Sequence, residues 1–493
     1  MKRTLPLHII RTLLSGIALM ALLSVSAVAA DIPAEVTLFK NVNVFDGKSD
    51  KLLMGYDVLV VRNLIKKVAK DIPTSGTYEL DVTTGGLKRL DMPQMHDWHA
   101  ARNVVTIYED QKTIKKEVTV KVIDGGGRTL MPGLIDAHWH MFNPLTMPDV
   151  MTAHLDYIHA KIAVEAEKTL LRGFTTIREP GGNSFGLKRA IDEGILVGPR
   201  ILPSGPPIAQ TSGHFDFTQP WEPPKRLGGQ PSRPEAYGML RVIDGADDAL
   251  AAARFNLKQG ASQLKIAGGG GIASNYDPLD VSELTVEETK AVVAAAENWN
   301  TYVAVHIYTA RGIKRALQAG VISIEHGHFL DEEGAKLMKE KDAWLCIQPF
   351  QEGDPSQLTL SPEKSAKWSE TVKGFEHAMD LAVKYDLNLA YGTDFLFDPA
   401  SNGIQASQLA RFDKWLNNAE MLQLITSENA RLLELSGPRH PYREGKLGVI
   451  AEGAYADLLL VDGNPLDDVS ILGDGGKNFP LIMKDGKIYK NLL

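Results

Sequence analysis

The sequence of 493 residues contains one cysteine, Cys346, which excludes an intramolecular disulfide in any compartment. It carries no excess of positive charge: 53 Lys and Arg stand against 61 Asp and Glu, a net charge of -8. Binding nucleic acid through its phosphates needs a concentrated basic surface, and none is present, so no nucleic-acid partner is expected. Gly (44) and Pro (26) are too few for a collagen-like chain. Apolar residues spread along the whole length exclude a coiled coil and wholesale disorder. Beyond the N-terminal stretch no apolar run is long enough to span a bilayer. What remains is a globular chain with room for one large and one smaller domain.

Lys2, Arg3 and Arg11 precede or enter a mostly apolar run, Leu13 to Val28, which ends in Ala27-Val28-Ala29-Ala30 before Asp31. Charge, apolar stretch and small residues in that order predict a signal peptide over residues 1–30, cleaved after Ala29 or Ala30. The competing reading is an uncleaved anchor, since the run approaches the roughly 20 residues that cross a bilayer. No cysteine follows it, which excludes a lipobox. The expectation is an exported, periplasmic protein with no membrane association after cleavage.

Short alternating runs at both ends predict half-buried antiparallel strands: Val36 to Val44, Tyr56 to Val61, Thr119 to Ile123, then Leu447 to Ile450, Ala456 to Val461 and Leu481 to Tyr489. The last folds back at the turn Lys484-Asp485-Gly486-Lys487. Residues 31–130 and 437–493 are therefore expected to form one discontinuous β domain, a small β-sandwich. Between Pro73 and Lys116 lies a polar insertion without clear periodicity, carrying His96 and His99.

Residues 131–436 alternate short β-branched runs with amphipathic segments. Strands are predicted at Leu134–His138, Thr175–Arg178, Arg200–Pro203, Gln263–Ala267, Tyr302–His306, Ser323–Glu325, Trp344–Gln348 and Leu387–Tyr391. Helices are predicted at Ile158–Arg172, Val286–Trp299, Ala310–Ala319 and Glu363–Tyr385. Eight strands alternating with helices are what a (β/α)8 TIM barrel of the α/β class requires. A doubly wound sheet is the alternative, but no Gly-rich phosphate fingerprint follows the first strand.

The chemistry lies at the ends of these strands. The first ends in Asp136-Ala137-His138-Trp139-His140, and alternation sends both histidines to one side. His306 closes the fifth strand, His326 the sixth, and Asp394 follows the eighth. Active sites of barrels lie at the C-terminal ends of strands, where such residues converge. Imidazoles and a carboxylate suit zinc and similar divalent metals. Lys265 interrupts the apolar fourth strand just before Gly268-Gly269-Gly270-Gly271. A buried ammonium is costly unless paired or altered. On the strand pattern alone its head would reach solvent. Beside four histidines and an aspartate, a lysine carbamate bridging two metals explains it better.

These motifs together resemble the amidohydrolase superfamily, in its imidazolonepropionase-like and Xaa-Pro dipeptidase-like branch of peptidases and N-acyl amino acid hydrolases. The resemblance covers nearly all of the chain after residue 30. It rests on Leu130-Met-Pro-Gly-Leu-Ile-Asp-Ala-His-Trp-His140, Gly173-Phe-Thr-Thr-Ile-Arg178, Lys265 with its glycines, Val305-His306-Ile-Tyr308, Ile324-Glu-His326-Gly and Gly392-Thr-Asp394. It implies that His138 and His140 bind one metal and His306 and His326 the other. Lys265 would be the bridging carbamate, and Asp394 a ligand that also handles the proton. The departures are His328 two residues after His326, Glu179-Pro180 after the second strand, and the long insertion. His328 would be a substrate contact or a loop residue.

The expected reaction is attack of a metal-activated water on an amide carbon, with Asp394 as general base and then acid. His214, in Thr211-Ser-Gly-His214-Phe-Asp216, is the expected oxyanion donor, and Tyr308 the expected contact to a substrate carboxylate or carbonyl; each has a purely structural role as its alternative. The partner is a small-molecule amide, with a homo-oligomer compatible. The rivals are hydrolysis of a cyclic amide, lactone or phosphotriester at the same site, and a periplasmic metal or solute binding protein. Cys346 is expected in the core. His154, His159, His377 and His440 are expected at the surface. Trp139 and Phe142 are expected to line the pocket or pack the core.

Overall fold

The computed structural model describes residues 36–74 and 120–493 in full, and the strand backbones at 76–80, 87–89, 104–109 and 114–119. The N-terminal segment 1–30, His96 and His99 lie outside the described residues. All eight strands expected in the middle of the chain are present. Leu134–Asp136, Phe174–Glu179 and Arg200–Pro203 form one parallel sheet, with Phe174–Glu179 in the centre. A second parallel sheet runs in the order Arg241–Ile243, Ile208–Gln210, Leu264–Ala267, Val303–Thr309, Ser323–Phe329, Trp344–Ile347, Asn388–Tyr391. Hydrogen bonds join the two sheets: Ala137 N donates to Tyr391 O at 2.9 Å, and Ser262 N to Pro203 O at 2.7 Å. The molecule is thus an α/β fold built on parallel sheets.

Ile208–Gln210 and Arg241–Ile243 were not expected, because three residues are too few for alternation to register. The other strands read well because both their faces are covered, as parallel sheets require. Leu264–Ala267 and Trp344–Ile347 are buried at every position. The covering helices include Leu155–Leu171, Val286–Asn298, Ala310–Gln318 and Pro362–Lys384, all expected, and Ala246–Lys258 and Glu332–Glu340, which were not. Thr285 starts Val286–Asn298 with a capping box: its hydroxyl accepts from Glu288 N, and the Glu288 carboxylate accepts from Thr285 N.

Strands from both chain ends enter one eleven-stranded sheet among the described residues. Leu458–Val461 pairs antiparallel with Thr129–Pro132, which pairs parallel with Val36–Val44. Val36–Val44 also runs parallel to Ile114–Asp124, so the sheet is mixed rather than purely antiparallel. A parallel pair needs a long crossover, and the chain between these two strands supplies it. The insertion contributes Gly76–Leu80, Leu87–Arg89 and Val104–Glu109, which extend the same sheet. Leu447–Ile450 is not a strand. Gly448 takes φ 70°, which breaks the extended run, although Val449 and Ile450 are buried. The terminal hairpin forms as expected, with Lys484 opposite Lys487 and positive φ at Asp485 (55°) and Gly486 (72°), the twist that suits a two-residue turn. No helix among the described residues is long and apolar enough to cross a membrane.

Candidate active site

The strand ends bring His138, His140, His214, Lys265, His306, Tyr308, His326 and Asp394 onto the wall of one cavity of about 560 Å³. His138 and His140 follow the strand Leu134–Asp136, while His306 and His326 lie inside their strands. Asp136 braces the floor: its carboxylate accepts from His138 N (3.0 Å), Thr393 N (3.1 Å) and Thr393 Oγ1 (2.6 Å). Asp394 N in turn donates to His138 O at 2.7 Å. Gly392 permits this approach, since a Cβ there would lie 2.4 Å from the Cβ of His138. His326 and Asp394 adopt φ 76° and 53°. Left-handed backbone at non-glycine residues costs about 1–3 kcal/mol each and persists where the surroundings impose it.

Each of four imidazoles has one nitrogen occupied by a protein acceptor. Nδ1 of His138 is 2.8 Å from Glu325 Oε2. Nδ1 of His140 faces Gly181 O (3.1 Å) and Glu179 Oε1 (3.3 Å). Nδ1 of His326 faces Gln348 Oε1 (2.6 Å), and Nε2 of His306 faces Gly270 O (3.1 Å). These partners fix the orientation of each ring. Asp394 lies among three of the rings: Nε2 of His140 at 3.0 Å, of His138 at 3.2 Å and of His326 at 3.9 Å. His138, His326 and Asp394 offer ligand atoms within 4.8 Å of one another. Burial opposes ionisation of Asp394, but His138, His140 and His326 hold its carboxyl well below the usual range.

Lys265 is buried and makes no hydrogen bond or ion pair among the described residues. Burial pushes its pKa down, with Glu325 and Asp394 opposing and Arg178 assisting. Its place beside the imidazoles and Asp394 fits a candidate metal centre. A second cluster, His138, Glu325 and Cys346, also has ligand spacing. Its thiol is raised well above the normal range, first by burial and then by Glu325, so it is not a thiolate. Its carboxylate is already engaged by Arg178, whose Nη2 donates to both Glu325 oxygens at 2.8 and 2.7 Å.

Tyr308 stacks on His326, with ring centroids 5.0 Å apart at 17°, and burial holds its phenol well above the normal pKa. Its hydroxyl has no partner among the described residues and is free for a ligand. His214 stacks on His306 at 3.8 Å and 8°. Its Nδ1 faces Ser274 Oγ at 3.0 Å, and that hydroxyl donates to Asp277 Oδ2 at 2.6 Å. Gly271 is required beside it, since a Cβ there would sit 2.1 Å from His214 Nδ1.

Several functional partners were not read from the sequence. Glu325, Glu179, Gln348, Ser274 and Asp277 orient the imidazoles, and only Glu179 carried a signal, as an acidic residue after the second strand. His328 is not a loop residue but lies in the strand Ser323–Phe329. It is buried, stacks on Phe350 at 5.5 Å and 6°, and its Nε2 faces Gln348 O at 3.0 Å, with a pKa lowered to about 4 by burial. Trp139 and Phe142 pack in the core. Cys346 is buried as expected. His154, His159 and His377 are exposed, but His440 is buried against the expectation, with its pKa lowered to about 4 by that burial.

Residues 129–489 match the amidohydrolase family model. The chain is 30% identical over 376 residues to an ochratoxinase of Aspergillus niger, covering 73% of this chain and 75% of that one. A crystal structure of a prolidase complexed with N-methylphosphonate-L-proline superposes with a TM-score of 0.75 at 28% identity, covering 92% of this chain and 100% of that one. A Xaa-Pro dipeptidase with bound methionine superposes with a TM-score of 0.71 at 26% identity, covering 93% and 100%. The chain therefore belongs to the amidohydrolase family and is a hydrolase of carbon–nitrogen bonds.

Proposed function

We propose that the protein is a binuclear metal hydrolase that cleaves the amide bond of a dipeptide or an N-acyl amino acid. The observation that carries this is the convergence of three imidazoles on Asp394, with His306 and a buried Lys265 that makes no hydrogen bond on the same cavity wall. The similarity to a prolidase and a Xaa-Pro dipeptidase supports the peptide side of the reading. In this reading residues 131–436 close into a (β/α)8 barrel. Residues 31–130 and 437–493 form a β-sandwich domain beside it, and residues 1–30 direct export to the periplasm.

His138 and His140 would hold one cation and His306 and His326 the other, with carboxylated Lys265 between them and Asp394 completing the set. Two divalent cations, zinc being well suited, would supply Lewis acidity that polarises the amide carbonyl and acidifies water. Asp394, ionised among the imidazoles, accepts the proton of the attacking water and passes it to the leaving nitrogen. Tyr308, a neutral phenol with a free hydroxyl, donates to a substrate carbonyl or carboxylate. His214 lines the cavity with Nδ1 turned to Ser274 and Asp277, and its other ring nitrogen would donate to an oxyanion. Glu325, Glu179, Gln348 and Gly270 O fix the ring orientations before substrate arrives.

The test is turnover by metal-loaded protein against a panel of dipeptides, N-acyl amino acids, lactams, lactones and phosphotriesters. Cleavage of the first two groups is expected. Cleavage confined to the last three would move the substrate class, and no turnover of any member would sink the reading.

A further inference from the structure

The rim of the active-site cavity carries a lysine that no carboxylate among the described residues contacts directly. Lys364, on the helix Pro362–Lys384, lines the cavity and donates from Nζ to Ala273 O at 2.5 Å, another lining residue on the loop after Gly271. No carboxylate pairs with it among the described residues. Lys367, on the same helix, is also held by carbonyls alone, Asp277 O at 2.9 Å and Gly271 O at 3.3 Å. Burial and then Lys367 lower the pKa of Lys364, with Asp277 and Glu363 opposing.

Asp277 and Glu363 act on Lys364 through space, and neither pairs with it directly. Asp277 accepts from Gly271 N (2.7 Å) and Ser274 Oγ (2.6 Å). Asp398, on the cavity wall, accepts from Ser356 Oγ (2.8 Å), Ser401 Oγ (2.5 Å) and Ala400 N (3.1 Å). Asp394 lies among the histidines. Between those histidines and Lys364 runs an apolar wall. Tyr308 stacks on His326, Phe350 packs on Trp368 at 4.5 Å, and Trp368 stands one helical turn from Lys364.

We infer that Lys364 forms an anion subsite at the cavity rim, so that the preferred substrate is an amide with a carboxylate remote from the scissile bond and an apolar or aromatic body between the two. This rests on the amide-hydrolase reading above. A single ammonium suits a monoanionic carboxylate, whereas a phosphate dianion is typically met by an Arg fork or several cations. A carboxylate adjacent to the scissile nitrogen would instead be met by Tyr308, as proposed above.

Two matched pairs test it: N-(4-carboxycinnamoyl)glycine against its ring carboxamide, and N-benzoyl-4-carboxyphenylalanine against its ring carboxamide. One pair places the remote charge on the acyl side and the other on the leaving side. Wild type is expected to favour the acid of at least one pair by about tenfold in kcat/KM, carried by KM, the scale of a hydrogen bond to a charged group. Lys364→Met should erase that preference, bringing the ratio of acid to carboxamide in each pair to about one, and Lys364→Arg should restore most of it. Hydrolysis with no charge preference in wild type, or a preference that survives in Lys364→Met, would overturn the subsite alone. Failure to cleave all four compounds together with the wider amide panel would overturn the amide-hydrolase reading and the subsite with it.

Discussion

Glu325 lies 2.8 Å from Nδ1 of His138, and the same carboxylate accepts from Arg178 at 2.7 and 2.8 Å, all three side chains fully buried. Arg178 reaches further, donating from Nη1 to Ser323 Oγ (3.1 Å) and Tyr302 Oη (3.2 Å) and from Nε to Ala137 O (2.5 Å). Burial opposes ionisation of Glu325, but Arg178 and His138 hold it well below the usual carboxylate range. A carboxylate that orients a metal-binding histidine typically contributes about 10- to 100-fold in metal affinity.

Glu325→Gln keeps the shape and removes the charge. Metal affinity is expected to fall about 10- to 100-fold by competition with a chelator. Leaving Arg178 as a buried unpaired cation should also cost about 3–5 kcal/mol by urea unfolding. Unchanged affinity in a folded mutant would remove Glu325 from the orientation of His138.

Lys265→Ala is expected to lose metal and activity together, with short carboxylic acids restoring part of both. Elemental analysis of wild type should give about two equivalents per chain. Protein loaded in 13C-bicarbonate should show a carbamate resonance that the mutant lacks. A fully active mutant would take Lys265 out of the site, and one tightly held equivalent would point to a mononuclear mechanism.

Asp394→Asn keeps the size of the side chain but cannot shuttle a proton. The expected result is a fall in kcat of about 10²- to 10⁴-fold, the usual weight of a general acid–base group. A kcat within a few-fold of wild type, in protein that retains its metal, would assign the proton transfer to another residue.

Glu283 offers a pH test away from the metal ligands. Burial first, then Asp277, raise its pKa from 4.5 to about 9, while a hydrogen bond from His214 N opposes the rise. The native protein therefore keeps this proton across a range in which the unfolded chain has lost it. Its contribution is favourable below the unfolded pKa and declines as pH rises from 4.5 towards about 9. Against Glu283→Gln, which cannot ionise, wild type should lose up to ~1.4 kcal/mol per pH unit in that window. Parallel unfolding curves for the two proteins from about pH 5 to about pH 8 would show that Glu283 does not hold the proton.

The residues that bear the chemistry stood out because they violate their surroundings. Lys265 in Leu264–Ala267 and His306 in Val303–Thr309 are polar groups in runs buried on every neighbouring position. The partners were hidden for the opposite reason. Glu325 reads as an ordinary acidic residue; Glu179 is visible after the second strand, but only strand register aligns Phe174–Glu179 beside Leu134–Asp136. Gln348 and Ser274 carry no charge to draw notice, and their role depends on loops closing over His326 and His214.

By itself the sequence determined which side chains could bear metal chemistry, since residue type and a run of buried strands are local properties. It also determined the eight main strands and the hairpin at Asp485-Gly486, whose positive φ values follow from residue type. Only the tertiary structure decided which protein oxygen faces each histidine, which carboxylates are spent on arginine or hydroxyls, and which lysine lines the rim of the cavity. Those outcomes depend on distances between residues far apart in the chain, set by sheet register and loop closure. No local pattern encodes them.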